Sequence, residues 1–254
     1  MPPPTAGADS GHVSPKPCTV VSVQIAARKL AIAMLAMTVS LTVAYIVTGT
    51  LSSVVMPGHP LYGLPRFFDM AQEANLPAYY SALCLLLTAV VLAVLARAER
   101  AAAWRSYWIG LVAGFLYLSV DEAAQIHDAI LGPGFASAVG KSSLPFFYHT
   151  WVMPAIGAVA IVAILYARFL LALPRRHARR FLLAGVVYVS ATVGGDLIEG
   201  YLATNTASQL ALIIQNSIEE SGELLGITAF LYALLGYAAE QGVTLSVGTS
   251  STNG

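Results

Sequence analysis

The chain has 254 residues, of which 57% are hydrophobic and 10% charged, with a formal net charge of zero. A soluble domain carries about 25% charged residues, so this composition and a mean hydropathy of +0.72 exclude an ordinary soluble fold. Zero net charge also offers no global field for a nucleic acid, and none is expected as a partner.

The expected class is all-α: a polytopic membrane helix bundle of six transmembrane helices. The first 25 residues are rich in Pro, Gly and Ser and read as a disordered tail. They lack the charge and apolar order of a cleaved signal. Residues 26–238 form the transmembrane domain, and 239–254 a second disordered tail. Cys18 falls in the first tail and Cys84 in a span, which makes neither a disulfide framework nor a zinc motif.

Apolar runs near the roughly 20 residues that cross a bilayer place spans at about 29–50, 79–98, 106–130, 148–173, 181–203 and 209–237. Arg28 and Lys29, then Arg97, Arg100 and Arg105, then Arg175, Arg176, Arg179 and Arg180 flank alternate ends of these spans. The opposite loops carry only Arg66 and Lys141. By the positive-inside rule both termini are cytoplasmic.

In the first outer loop, Met56-Pro57-Gly58-His59-Pro60 forbids a continuous helix. The stretch from Arg66 to Pro77 mixes aromatic and charged groups. It suits either a short amphipathic helix at the interface or an ordinary loop. Span three carries Asp121 and Glu122 past its midpoint and His127 and Asp128 near its outer end, before Gly132-Pro133-Gly134 stops it. On a continuous helix Asp121, Gln125 and Asp128 share a stripe, and His127 points elsewhere unless the helix breaks first. The residues from Gly132 to Leu144 read as a second outer loop.

Span four opens with aromatic residues and His149, and Pro154 one turn in is a candidate kink. In span five Thr192, Asp196 and Glu199 share one side, and Gly194-Gly195 lets a neighbouring helix approach. In span six Asn216, Glu219, Glu220 and Glu223 lie within about 100° on the helical wheel. His12, His59 and His177 read as tail or loop residues.

Spans three, five and six run in different directions, yet each places its acids in the outer half of the membrane. That agreement favours one shared site. A charge at bilayer depth costs a few kcal/mol or more and usually marks function. Carboxylates so close, with no basic residue alongside, require either protonation or bound cations. The expected cofactor is a divalent or iron-type metal cation held by a set drawn from Asp121, Glu122, Asp196, Glu199, Glu219, Glu220, Glu223, His149 and His127. Glu122 and Glu220 are the candidate catalytic proton carriers. Neither Glu-x-x-His nor His-Glu-x-x-His occurs, so this reading rests on clustering.

Three functions follow in order. The first is a membrane metalloenzyme doing hydrolytic or oxidative chemistry on a lipid or other hydrophobic small molecule that arrives through the lipid bilayer. The second is a cation- or proton-coupled transporter. The third is a non-catalytic membrane partner with a structural cation.

Three segments carry a resemblance. They are Phe68-Asp69 with Glu73-Ala74-Asn75-Leu76-Pro77, then Leu118-Ser119-Val120-Asp121-Glu122-Ala123-Ala124-Gln125-Ile126-His127, and then Glu219-Glu220-Ser221-Gly222-Glu223-Leu224-Leu225-Gly226. In these the chain resembles a family of uncharacterised bacterial multi-pass membrane proteins. The resemblance covers the body and not the tails. It implies a bacterial inner-membrane location and associates the Asn75 and His127 segments with the acids, but it implies no activity.

Overall fold

The computed structural model describes residues 21–22, 26–57, 61–72, 74–139, 148–206, 208–243 and 246–247. Eight α-helices follow in order: α1 (Ala27–Thr50), α2 (Leu64–Phe68), α3 (Leu76–Ala98), α4 (Ala102–Ala124), α5 (Gly132–Val139), α6 (Val152–Ala172), α7 (Arg175–Asn205) and α8 (Gln209–Glu240). Five of them are long and apolar enough to cross a membrane. These are α1 with its continuation to Val55, α3, α6, α7 and α8; α4 with the Ala129–Ala138 stretch after its 81° bend counts as a sixth if the pair is one broken span rather than a re-entrant loop. The protein is therefore an α-helical polytopic membrane bundle.

The expected first tail falls outside the described residues save Val21–Ser22, and much of the second does too, although α8 runs on to Glu240 and residues to 243 are described. The two tails also hold a two-residue antiparallel pair, β1 (Val21–Ser22) with β2 (Ser246–Val247), in register Val21 opposite Val247. His12, His59, Glu73 and Lys141 also lie outside, as does the side chain of Asp128.

α8 is the axle of the bundle. α1, α3 and α7 pack directly on it, while α4 leans on α3 and α6 on α7. The α7–α8 seam is built by small residues. A Cβ at Gly226 would stand 2.8 Å from the Tyr188 amide nitrogen and 2.9 Å from its Cα, and one at Gly222 would stand 2.8 Å from the Ala191 Cβ. Without a hydrophobic drive between helices in lipid, such close approach is what holds a pair. On the other flanks single hydrogen bonds tie the helices. Thr42 Oγ1 meets Ser221 Oγ at 2.7 Å, Tyr80 donates to Met34 O at 2.8 Å, and Ser119 donates to Ala82 O at 2.8 Å.

One end of the bundle is closed by rings. Phe115 stacks on Phe230 at 5.1 Å, and Phe230 meets Phe181 at the same distance. Tyr237, Trp108, Phe169 and Tyr107 continue the series. These side chains bridge α4 and α6 to the closely packed α7–α8 pair. His177 belongs to this end and not to a loop. With Pro174 capping α7, the helix starts before the apolar run does, and His177 is 1% exposed, 2.7 Å from Glu240 Oε2 and against the Tyr237 ring.

Three other expectations need correction. Span three does not run to residue 130. α4 stops at Ala124, Gln125 takes a left-handed conformation (φ 56°), and a π-helical turn, His127–Leu131, leads into α5. Gly132 thus begins a helix, and the first half of the expected second outer loop is helical. Pro154 does not kink α6. It sits in the first turn, where its missing N–H has no partner to lose.

The connection expected as the first outer loop holds one turn of helix, α2, followed by a knot around Asn75. The Asn75 Nδ2 donates to Asp69 O at 2.6 Å and Gln72 O at 2.8 Å, while its Oδ1 accepts from Ala78 N–H at 3.2 Å and caps α3. Asn75→Ala removes the cap and the side-chain bonds to Asp69 O and Gln72 O, leaving Asp69 O with the Gln72 N–H. It is expected to cost about 2 kcal/mol and to open the loop to proteolysis. An unchanged melting temperature and digestion pattern would contradict this.

Candidate functional site

Because α4 and α6 stand off from α8, a gap remains above the ring-filled end. It is a cavity of about 570 Å³ walled by α4, α6, α7 and α8, with Met70, Ala71 and Gln72 of the α2–α3 connection at its rim. All nine residues singled out from the sequence line it: Asp121, Glu122, His127, His149, Asp196, Glu199, Glu219, Glu220 and Glu223. No lysine or arginine does, among the described residues.

The tightest group is His149, Asp196 and Glu199. One ligand atom from each lies within 4.8 Å of the others. His149 Nε2 is 2.9 Å from Glu199 Oε2 and 3.9 Å from Asp196 Oδ1. Asp196 and Glu199 are three residues apart on α7 and so share a face. His149 comes from the turn before α6, which Thr150 pins by donating to Gly132 O at 2.9 Å.

Asp121 and His127 form a second unit. The Asp121 carboxylate accepts the His127 backbone N–H at 2.8 Å through Oδ1 and meets the ring Nδ1 at 3.0 Å through Oδ2. The bend at Gln125 is what turns His127 back over α4. A continuous helix would have pointed it away. The far side of the imidazole packs against Trp151, with ring centres 4.8 Å apart.

The remaining acids occupy the α8 wall and the facing part of α4. Glu219 lies across Gly195, where any Cβ would overlap its carboxyl group. Gln215 donates to Gly195 O at 3.1 Å. Thr192, which lines the cavity beside these acids, donates to Tyr188 O at 3.0 Å. Glu122, Glu220 and Glu223 are near enough to act on one another electrostatically. Asn216, one turn before Glu220 on the same face, is 7% exposed and lines the cavity too. Outside the spans, burial holds the Asp69 carboxyl above its ordinary range against the opposing hydrogen bond from Ala71 N–H.

Sequence reasoning missed Trp151, Tyr188, Gln215 and the Met70–Gln72 rim. Only the Gln215-Asn216 pair preceding Glu219 offered a local signal, since polar residues on that face of span six have no lipid-facing reason to be there. The apolar part of the lining comes from Leu118, Pro154, Ala155, Val159 and Val189, and it lies toward α6.

Residues 30–237 match the family described as Domain of unknown function (DUF8692), and the chain belongs to that family. No curated protein and no solved structure matches it.

Proposed function

We propose that this protein is a membrane metalloenzyme of the bacterial inner membrane, with His149, Asp196 and Glu199 holding a divalent or iron-type cation. The observation that carries the reading is the convergence of one imidazole and two carboxylates, from two separate elements, within 4.8 Å. The basic residues flanking alternate span ends support cytoplasmic termini and a site in the outer half of the bilayer.

Such a cation supplies an activated water or polarises a substrate oxygen. One imidazole with two carboxylates inverts the two-histidine, one-carboxylate set of oxygen-activating iron enzymes, which favours hydrolysis over oxidation. The Asp121–His127 pair is built to take up a proton, because the carboxylate fixes the ring's orientation. Glu122 and Glu220 are further proton carriers in the same cavity. The apolar lining toward α6 suits a lipid or other amphiphile arriving sideways from the bilayer.

A second reading is cation- or proton-coupled transport. What supports it is the number of acids, which exceeds what one cation needs. Against it stands the aromatic packing at the ring-filled end of the bundle, where Phe115, Phe230, Phe181, Trp108 and Phe169 separate the carboxylates from His177 and Glu240. A purely structural cation site is the third.

Elemental analysis of the detergent-purified protein tests the first reading. Wild type is expected to carry zinc, manganese or iron in stoichiometric amount, and His149→Ala with Glu199→Gln to lose it roughly tenfold or more. Equal metal in both, or none in either, would overturn it.

A further inference from the structure

We propose a second binding site, for one anionic phospholipid, on the outer face of the α3–α4 pair at the end away from the carboxylates. It is separate from the metal-centre reading and stands without it.

A groove of about 310 Å³ runs there, lined by Ala93, Ala96 and Arg97 of α3 and by Arg105, Ile109 and Val112 of α4. The connection between the two helices is only Glu99–Ala101, so both arginines sit beside the same tight turn. Arg105 is held in place. Its Nε and Nη2 donate to Glu99 O at 2.9 and 2.7 Å. The Glu99 carboxylate is engaged by the turn itself, since its Oε1 accepts from Ala101 N–H at 3.0 Å. Two arginines thus line the groove and, among the described residues, no carboxylate does.

The rest of the lining is apolar. Ile109 is 53% exposed, and Ala93 and Val112 are partly so. α3 is long and apolar enough to cross a membrane, and α4 is so together with the bent stretch that follows it, which makes hydrocarbon the expected neighbour of this apolar surface. An occupant therefore needs an alkyl chain for the groove and an anion for its arginine end. Guanidinium groups match phosphate oxygens in geometry as well as charge, and basic pockets between membrane helices are the usual seats of anionic headgroups. A phospholipid with a net negative head meets both demands. A soluble phosphate meets only one.

The test is a thermal shift of the full chain in detergent, titrated with phosphatidylglycerol or with phosphatidylcholine of the same acyl chains. Phosphatidylglycerol is expected to stabilise at a roughly 30-fold lower concentration. Arg97→Gln with Arg105→Gln should erase that preference. Arg175→Gln with Arg176→Gln should keep it, which separates this groove from a general attraction to basic ends. Ala93→Phe fills the groove and leaves both arginines, so it should also lose the preference, and it guards against a folding defect in the arginine variant. Glycerol phosphate without acyl chains should give no shift. A preference that survives both groove variants, or a full shift with glycerol phosphate alone, would overturn the proposal. Neither result would bear on the metal centre.

Discussion

Gly226→Leu is expected to abolish the folded bundle, and Gly226→Ala to destabilise it by about 1–3 kcal/mol. The sign of the alanine variant is the informative part. In an uncrowded helix interior, glycine to alanine stabilises by roughly 1 kcal/mol. Here the added Cβ meets the backbone of Tyr188, at 2.8 Å from N and 2.9 Å from Cα, and backbone cannot swing aside as a side-chain tip can. Gly222 against Ala191 one turn earlier, and Gly195 under Glu219 beyond it, make the contact continuous along the seam. Forcing α7 from α8 at Gly226 therefore also separates Asp196 and Glu199 from the α8 carboxylates. Thermal melting and size-exclusion of the detergent-purified variants would decide the matter. A raised melting temperature for Gly226→Ala would mean that the two helices do not touch there.

Stripping metal with a chelator should lower the melting temperature, and restoring it at about 100 times its dissociation constant should return roughly 2.7 kcal/mol. His149→Ala and Glu199→Gln should each lose that response. Glu219→Gln should behave differently. Seven carboxylates line the cavity with no lysine or arginine beside them. Neutralising one without changing its shape relieves repulsion in the metal-free protein, so that form should become more stable than metal-free wild type. Stabilisation without metal and an unaltered response to it would place Glu219 outside the coordinating set. Stabilisation with loss of the response would place it inside. A metal-free Glu219→Gln less stable than wild type would show that the carboxylates are not crowded by their own charge.

Much of the architecture was legible in the sequence because hydropathy responds to length. The spans at 29–50, 79–98 and 209–237 differ from α1, α3 and α8 by three residues or fewer at either end. Membership of the cavity was legible for a different reason. An acid at membrane depth has few tolerable places to point, so separate helices with acids at one level converge. What stayed hidden depends on contacts between elements. Gln125 carries no breaking tendency of a glycine or proline, and its left-handed conformation is held by the Asp121 bonds to His127 that form only once the chain has turned. His177 hides in an arginine-rich turn that reads as loop until the rings of Phe181 and Tyr237 are seen around it. Gly194-Gly195 marked a close approach on span five, but the glycines that face it from α8, Gly222 and Gly226, show their role only against Ala191 and Tyr188. Neither the helical wheel nor the charge pattern tells which of six helices stands at the centre.

The series of rings from Phe115 through Phe230 to Trp108 fills the end of the bundle below the carboxylate chamber. Under the metalloenzyme proposal, a molecule that enters from the opposite side has to back out past its own point of entry. A long-chain analogue that lodges there without reacting should then block arrival and departure together, and its inhibition should reach completion.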